Sequence, residues 1–415
     1  MNCNWKEFRL GDLTTWASGS TPSKQNPSFW GGKIPWISGT VMRSKNLSES
    51  NQYLTQEGFE NKGKLCKKNS ILLLVRGDLF KRIPVGIATK SLCFNQDIKA
   101  INSVSDNLLQ HFIYYLLEGN KKKLSNIVEF TGLGAGKLDT QLLQNLTFKI
   151  PPINYQKNLI NFFDSIDSKI ELNRESNKNL EKIAQALFKS WFIDFDLVKA
   201  KSEGRSTGLT DDISNLFPDS FENSIFGEIP QTWKVSKFGK LCTPKRGKVI
   251  TKKTIIPGEI PVVAGGISPA YYHSKSNASS PVVTISASGN AGYVNLFYKD
   301  IWASDCSYIN KNVTDFIYFS HSFLKANQNK IFHLRHGAVQ QHINPKDLMG
   351  LDFLLPPVNL INIYEQIVTL LHNKISNNLD EINTLSSMRE ILLPKLISGE
   401  LGIPDVEKMI NEVGI

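Results

Sequence analysis

An internal repeat constrains this chain more than any other feature. Residues 130–173 align without a gap with residues 335–378. The alignment pairs Gly132 with Gly337, Phe148 with Phe353, Pro151–Pro152 with Pro356–Pro357, and Asn173 with Asn378. Two matching segments half a chain apart are too widely spaced for a solenoid. We therefore predict two copies of one module, each a globular part followed by a long helix, with two similar working surfaces.

The globular parts read as mixed α/β (α+β). Short β-prone runs at Ile71–Val75, Ile260–Val263 and Val282–Ser286 are bounded by glycine- and proline-rich breaks. Residues 108–119 have the composition of a helix. Each globular part ends in a strand that leads to a diproline, where proline stops the strand and allows a helix to begin.

Both diprolines are followed by a heptad pattern. The first seam comprises Phe163, Ile166, Ile170, Asn173, Asn177, Leu180, Ala184, Leu187 and Trp191. The second comprises Leu371, Ile375, Asn378, Ile382, Leu385 and Leu392, and Arg389 interrupts it. These three-and-four steps predict two antiparallel coiled-coil helices, with buried asparagines fixing their register. The first helix, predicted from Gln156 to Leu197, would be about 60 Å long, with the two globular parts at opposite ends of a rod.

The repeat and the composition shifts predict six segments. They are a first globular domain (1–150), a long central helix (151–198), a linker (199–226), a second globular domain (227–355), a C-terminal long helix (356–400) and a tail (401–415). The linker begins with KAKSEGRSTG, which is typical of a flexible connection.

Charge is unevenly divided along the chain. Residues 1–150 hold 20 lysines and arginines against 11 aspartates and glutamates, and residues 227–355 hold 15 against 7. The remaining stretches, 151–226 and 356–415, hold 13 against 20. This segregation favours globular parts that face a polyanion and helices that face protein.

Other features indicate a cytoplasmic location. The longest apolar run, Ile71–Val75, is too short to span a membrane, and the N-terminal residues lack the apolar stretch of a signal peptide. The five cysteines are scattered and form no CxxC pair, which is typical of a reducing compartment and argues against a thiolate zinc site.

The end of the linker and the start of the second domain carry the most specific motif. LFPDSF, followed by GEIPQTWKV, together with the duplicated diproline–helix units, resembles the specificity subunit of type I restriction–modification systems. The opening WKEFRLGDLTTWASGSTPS is also similar to that family. A glutamine usually follows the diproline in the family. Gln156 matches it, whereas the second copy has Ile361 at this position and its nearest glutamine is Gln366.

The resemblance implies a function and partners. Two target-recognition domains would each read half of a bipartite, asymmetric sequence in double-stranded DNA. The two helices would act as a ruler and dock two methyltransferase (modification) subunits, and a motor and nuclease (restriction) subunit would complete the complex. The chain itself would be non-catalytic, with no cofactor and no membrane partner.

Basic, aromatic and amide-bearing loops are the candidate DNA-binding sites, because Lys and Arg neutralise phosphates while Arg and Gln can read base edges. In the first domain the candidates are Arg43, Lys45, Arg76, Lys81 and Arg82. In the second they are Lys245, Arg246, Lys248, Lys252, Lys253, Tyr271, Lys275, Arg335, His336, Gln340 and Gln341.

Three other site types are disfavoured. GLGAGK at 132–137 lacks the Ser or Thr that follows the lysine of a P-loop. His333, His336 and His342 could hold a metal, but we favour surface histidines near DNA. No methyltransferase or nuclease signature is evident.

Two rival functions stay open from the sequence. One is a stand-alone two-site DNA-binding protein without a modification partner, which a pull-down from the native cell would distinguish. The other is an enzyme with an unrecognised active site in the second domain, which a methylation assay on the isolated chain would expose.

Overall fold

The chain forms two compact units in a computed structural model that describes residues 5–80, 82–130, 135–337, 341–406 and 408. The first unit comprises Met1–Glu171 with Ile382–Ile415, and the second comprises Leu172–Glu381. Each long helix is thus shared between the two units. Among the described residues, no helix is both long enough and apolar enough to cross a membrane.

The first half of the chain alternates short strands and helices. Its strands are β1 (Lys6–Arg9), β2 (Thr14–Ser18), β3 (Trp30–Ile37), β4 (Asn46–Leu47), β5 (Tyr53–Leu54), β6 (Leu65–Cys66), β7 (Ile71–Leu74), β8 (Arg76–Gly77), β9 (Val85–Ala88), β10 (Leu92–Phe94), β11 (Ile98–Ser103), β12 (Val128–Phe130), β13 (Gly136–Leu138) and β14 (Thr147–Ile150). Its helices are α1 (Leu10–Leu13), α2 (Gln56–Lys62), α3 (Gln110–Gly119), α4 (Lys121–Ser125), α5 (Thr140–Asn145) and the long α6 (Ile153–Phe192).

The second half continues in the same manner. Its strands are β15 (Phe221–Ser224), β16 (Gly227–Pro230), β17 (Lys234–Lys237), β18 (Lys245–Arg246), β19 (Ile260–Val263), β20 (Tyr271–His273), β21 (Val282–Ser286), β22 (Val294–Phe297), β23 (Trp302–Ala303), β24 (Cys306–Ile309) and β25 (Asp352–Leu355). Its helices are α7 (Asp196–Ser202), α8 (Asp211–Ser214), α9 (Ile317–Ala326), α10 (Gln328–His333), α11 (Pro345–Met349) and the long α12 (Val358–Ser398).

The two domains share one sheet topology. The larger sheets have the orders β2-β11-β7-β9-β4 and β18-β24-β21-β22, and the smaller sheets have the orders β5-β3-β10-β6 and β20-β19-β23. In both domains a strand near the start pairs antiparallel with the last strand, β1 with β14 and β17 with β25. This agreement confirms the predicted mixed α/β fold with an internal repeat.

The central strands explain the apolar runs of the sequence. Strand β7 lies between β9 and β11, and all four of its residues are buried. Strand β21 lies between β22 and β24, and its five residues are also buried. A strand that is covered on both faces needs apolar side chains at successive positions instead of the alternating pattern.

One glycine in each domain is required by a close backbone approach. A Cβ atom on Gly19 would lie 2.2 Å from the Phe94 carbonyl oxygen, and a Cβ atom on Gly247 would lie 2.3 Å from the Ser304 carbonyl oxygen. Neither position tolerates a side chain without a backbone shift. These glycines are equivalent in the two domains. Gly19 lets the GSTPS loop pack against the end of β10, and Gly247 lets the RGK loop pack against the end of β23.

The long helices are antiparallel within each unit. In the first unit the Tyr155 hydroxyl donates to the Leu396 carbonyl (3.0 Å), and Arg389 donates to Asp167 (2.8 Å). In the second unit the Asn378 amide donates to Asn177 Oδ1 (2.7 Å) and the Tyr364 hydroxyl donates to the Ala184 carbonyl (3.2 Å), so rising residue numbers in α6 again meet falling numbers in α12.

Every predicted seam residue is buried or half-buried. Asn173 and Asn378 are both buried, and Asn173 donates to Glu381 Oε2 at 2.8 Å. The interruption at Arg389 is explained by its ion pair with Asp167. The predicted coiled coil is therefore confirmed, with polar pairs at both asparagine positions.

The first long helix ends earlier than predicted. Phe195 adopts a left-handed conformation, with φ at 55°, so α6 stops at Phe192 and a separate helix α7 begins at Asp196. The segment expected to be a flexible linker is also structured. Ala200 and Phe217 are buried, and the Lys201 ammonium donates to the Ser214 carbonyl at 3.1 Å. Its lysine- and serine-rich composition conceals these tertiary contacts.

The first turns of the long helices α6 and α12 use different side chains to contact the preceding domain. Buried Gln156 accepts a hydrogen bond from the Leu109 amide (2.8 Å) and donates to the Asn107 and Pro151 carbonyls (2.7 and 2.9 Å). One side chain thereby ties the start of α3 to the start of α6.

The second unit uses a carboxylate instead. Ile361 is buried in the core and Gln366 is exposed. Glu365 accepts hydrogen bonds from the amides of Tyr318 (2.9 Å) and Phe319 (2.8 Å) at the start of α9. Burial raises the pKa of Glu365 to about 7. The second unit therefore also has a hydrogen bond from the long helix to the start of a short helix. In this unit the acceptor lies one helical turn later and is an ionisable group.

Candidate nucleic-acid interface

The basic run of the second domain lies on one edge strand and the loop that follows it. Lys245 and Arg246 form β18, which pairs with β24 at the edge of the larger sheet. The five predicted cations of this run, Lys245, Arg246, Lys248, Lys252 and Lys253, are all exposed. An exposed edge that carries several cations provides sequence-independent contacts to phosphates.

Asp305 joins this run to two further loops. Its Oδ1 atom pairs with Arg246 Nη2 at 2.8 Å, and its Oδ2 atom accepts a hydrogen bond from the Ser288 hydroxyl. Arg246 Nη1 also donates to the Ile343 carbonyl at 3.4 Å. The structure thus brings together the basic run, the SASGNAG loop at the end of β21 and Ile343.

The described residues on either side of 338–340 pair with each other. His336 and His342 form a reciprocal backbone pair, with N···O distances of 2.9 and 2.8 Å. The Arg335 guanidinium lies 4.0 Å from the centre of the Phe332 ring and donates to Gln341 Oε1 at 3.2 Å. Gln341 and His336 are exposed. The predicted contact Gln340 lies outside the described residues.

The three nearby histidines have separate partners. His333 Nδ1 lies 2.7 Å from the Asn329 carbonyl, and His336 Nε2 lies 3.3 Å from Asp347 Oδ1. His342 pairs through its backbone with His336. Over the parts of the chain that the structure describes, no group of three or more His, Cys, Asp or Glu residues could hold a metal ion.

Tyr271 and Lys275 are exposed on and just after β20. Strand β20 pairs with β19, so Tyr271 lies opposite Val262 at the start of the VAGG turn. That turn contacts the SASGNAG loop, where the Asn290 amide donates to the Gly265 carbonyl at 2.9 Å. A backbone network therefore connects the tyrosine segment to the loops that Asp305 holds.

Three predicted cations of the first domain are exposed. Arg43 Nε donates to the Thr40 carbonyl at 3.1 Å, and the Arg82 guanidinium donates to the Met42 carbonyl. Arg76 lies on β8, directly opposite Lys137 on β13. Lys81 lies outside the described residues, as do residues 131–134 of the GLGAGK stretch. The lysine of that stretch, Lys137, lies in a strand and not at the start of a helix.

Lys45 has a different environment. Its side chain is only 14% exposed, and its ammonium pairs with Asp164 and with Asp167 Oδ2 (2.9 Å) while donating to the Tyr115 hydroxyl (2.5 Å). Two carboxylates from α6 neutralise this charge inside the first unit. The geometry therefore counts against a DNA contact by Lys45, and the interface we propose omits it.

Sequence reasoning missed two exposed aromatic residues in the first domain. Phe80 is 78% exposed and Phe130 is 54% exposed, and their ring centres lie 5.8 Å apart in an edge-to-face arrangement. The repeat held one clue, because the gap-free alignment places Phe130 opposite Arg335, which was predicted to bind DNA.

Comparisons with known proteins agree with this architecture. The family model described as "Type I restriction modification DNA specificity domain" matches residues 2–182 and 230–386. The chain is 24% identical to the type I restriction enzyme MjaIX specificity subunit of Methanocaldococcus jannaschii, with 97% of this chain and 95% of that protein aligned. It is 22% identical to the HindI specificity subunit of Haemophilus influenzae over 96% of this chain and 100% of that protein.

A solved structure supports the fold alone. The crystal structure of the type I restriction–modification S subunit from M. genitalium superposes with a TM-score of 0.58 at 17% identity. The superposition covers 95% of this chain and 96% of that one.

Proposed function

Because the chain belongs to the family of type I restriction–modification DNA specificity proteins, we propose that its two domains read the two halves of a split, asymmetric DNA site. As a member of this family the chain is a non-catalytic DNA-recognition subunit, which acts with DNA and with restriction and modification subunits. The bipartite target, the contact residues and the docking of those subunits are the parts that we propose.

One observation supports this proposal: the two domains share one sheet topology but have different side chains on their surfaces. Equivalent loops in the two domains present different groups, as Phe130 and Arg335 illustrate. Two readers of one architecture but different chemistry would recognise two different half-sites. The proposed phosphate contacts are Arg43, Arg76 and Arg82 in the first domain and the basic run of β18 in the second.

A domain exchange tests the bipartite reading. Residues 227–355 would be replaced by the second domain of another family member, and the methylated bases would be mapped after co-expression with the modification subunits. We expect one half-site to change and the other to stay the same. The control is the reciprocal exchange of residues 1–150, which should change the opposite half-site. A change of both half-sites by one exchange would contradict separate readers.

The long helices are the proposed docking surface for two methyltransferase subunits. They carry large apolar side chains that are exposed, namely Leu172 (60%) and Ile183 (53%) on α6 and Leu370 (72%) and Ile391 (60%) on α12. Exposed apolar residues on acidic helices are expected where protein partners bind. We propose that the motor and nuclease subunit joins the complex formed in this way.

Co-purification tests the docking proposal. Replacing Leu370 and Ile391 with serine should reduce the amount of modification subunit retained by the tagged chain. DNA binding by the isolated chain should be unchanged, because both residues lie outside the proposed DNA contacts. The exposed Ile225 (86%), replaced with serine, serves as a matched control. Full retention of the modification subunit by the double variant would place the docking surface elsewhere.

A further inference from the structure

A short three-stranded ribbon in the first domain holds an exposed aromatic pair. Strand β13 pairs with β12 on one side and with β8 on the other. Phe130 is the last residue of β12, and Phe80 follows β8 after the buried Leu79. The two rings contact each other edge to face and leave most of Phe80 exposed.

Glycines separate these rings from the hydrophobic core. Phe130 lies opposite Gly136, and Gly136 lies opposite Gly77, so the row across the ribbon has no other side chain. A Cβ atom on Gly136 would lie 2.9 Å from Leu79 Cβ and 2.9 Å from Val128 Cγ1. The glycine therefore lets the ribbon pack closely on Leu79, while the rings extend beyond the packed region.

The next row of the ribbon is charged. Lys137 lies opposite Glu129 on β12 and opposite Arg76 on β8. Like charges directly opposite each other in a sheet are destabilising. Glu129 faces Lys137 from the other strand, so Arg76 is the cation of this row that has no carboxylate opposite it, and a phosphate placed near Arg76 would relieve the repulsion.

The second domain places a different side chain at the equivalent position. Gap-free alignment of the repeat pairs Phe130 with Arg335, which directly precedes the backbone pair of His336 and His342. Arginine can read guanine through two hydrogen bonds, whereas phenylalanine can contact only the apolar parts of a base pair. In the major groove the apolar group is the 5-methyl of thymine.

We propose that Phe80 and Phe130 contact thymine methyl groups in the major groove of the half-site that the first domain reads. This inference rests on the proposed function, because it assumes that the chain binds duplex DNA. The major groove, about 12 Å wide, admits a two-stranded ribbon, so β12 and β13 would enter it with β8 at its edge. The two rings would meet the bases, while Arg76 and Lys137 would contact the flanking phosphates.

Deoxyuridine substitution tests this contact, because it removes only the methyl group of thymine. The full-length chain would be titrated with a duplex that carries the mapped target, and each thymine of the first half-site would be replaced in turn. We expect at least one replacement to weaken binding about four-fold, which corresponds to one buried methyl group. In Phe80→Ala or Phe130→Ala that replacement should have no further effect.

Two controls isolate the rings. Arg76→Ala should weaken binding to the thymine and deoxyuridine duplexes by the same factor, since a phosphate contact carries no base information. Leu65→Ala removes an apolar side chain that is 52% exposed on β6 and should change neither affinity. Thermal unfolding midpoints of all variants would show that each is folded.

The outcomes separate the two proposals. A wild-type chain that binds its target but tolerates every deoxyuridine would overturn the thymine contact alone. A deoxyuridine penalty that persists in both phenylalanine variants, or a first half-site without any A·T pair, would overturn it as well. A wild-type chain without sequence-specific binding, alone or with the modification subunits, would instead refute the proposed function.

Discussion

Two basic residues that lie close together in the sequence, Arg43 and Lys45, have different environments in the structure. Arg43 is exposed, whereas Lys45 forms ion pairs with Asp164 and Asp167 inside the first unit. Composition and charge cannot distinguish them, because the carboxylates lie more than a hundred residues away in sequence. The sequence shows which residues are basic, whereas the tertiary structure decides which of them are available to DNA.

Lys45 and Arg43 give a matched pair of variants. Lys45→Ala should lower the free energy of unfolding by about 2 kcal/mol, because it removes the charged donor that Asp164, Asp167 and the Tyr115 hydroxyl share and leaves Asp167 with Arg389 alone. Arg43→Ala should change stability by less than about 0.5 kcal/mol and reduce the salt dependence of DNA binding by about one phosphate contact. Urea denaturation and binding titrations at several salt concentrations measure both quantities. A stable Lys45→Ala variant with weakened DNA binding would reverse the assignment.

Glu365 should make the stability of the second unit depend on pH. Burial raises its pKa from 4.5 to about 7, so the folded chain holds this proton more tightly than the unfolded chain. Its contribution is complete below about pH 4.5 and is lost as the pH rises through 7, with a slope of at most about 1.4 kcal/mol per pH unit.

Paired substitutions test the role of Glu365. Glu365→Gln should flatten the pH dependence of unfolding between pH 5 and 7, because glutamine does not titrate. Gln156→Glu should introduce a dependence of the same sign in the first unit, where the equivalent side chain is fully buried. Unfolding midpoints measured across this range decide the matter. An unchanged slope in Glu365→Gln would show that other groups govern the pH response.

At the scale of elements, regular patterns were predictable and terminations were not. The heptad seams were predicted residue by residue, because burial in a helix pair repeats with the helix itself. The runs that became β19 and β21 were recognised from continuous β-branched and apolar residues. The end of α6 depends on the left-handed Phe195 and on tertiary packing, which no local pattern encodes.

The candidate site was predictable in composition but not in detail. The basic run of β18 follows directly from the sequence. The contacts of Asp305 with Arg246 and Ser288 join loops that are far apart in the chain, so they required the structure. The aromatic pair was missed because a lone exposed phenylalanine usually has no functional meaning.

The asparagine pair in the long helices should behave as a coupled unit. Asn378→Leu alone should destabilise the second unit by about 1 kcal/mol, since it leaves the buried Asn177 amide without its partner. The double variant Asn177→Leu with Asn378→Leu should recover this loss, because neither polar group is then left unsatisfied. A double-mutant cycle from denaturation curves measures the coupling. Additive effects of the two substitutions would argue that the hydrogen bond contributes little.

At the scale of the whole molecule, we predict that the helices set the spacer between the half-sites. One heptad inserted after Leu180 and another after Leu371 would keep both seams in phase and lengthen each helix by about 10 Å. That length corresponds to about three base pairs at 3.4 Å each. Mapping of methylated bases should show a longer spacer with unchanged half-sites.

The insertion has an internal control. A heptad placed in α6 alone leaves its new seam residues without partners in α12, so this variant should lose stability without acquiring a new spacer. An active double-insertion variant with the original spacer would indicate that another component of the complex sets the distance.

The division of each long helix between the two units affects the order in which the molecule can mature on the ribosome. The second unit is one continuous stretch, Leu172–Glu381, whereas the first needs residues from both ends of the chain. At about 5–20 residues per second, roughly 10 to 40 seconds separate the synthesis of Glu171 from that of Ile382. During this interval the seam residues Ile166 and Ile170 lack their partners in α12, so we expect the nascent N-terminal domain to need chaperones until Ile382 and the residues after it have been synthesised.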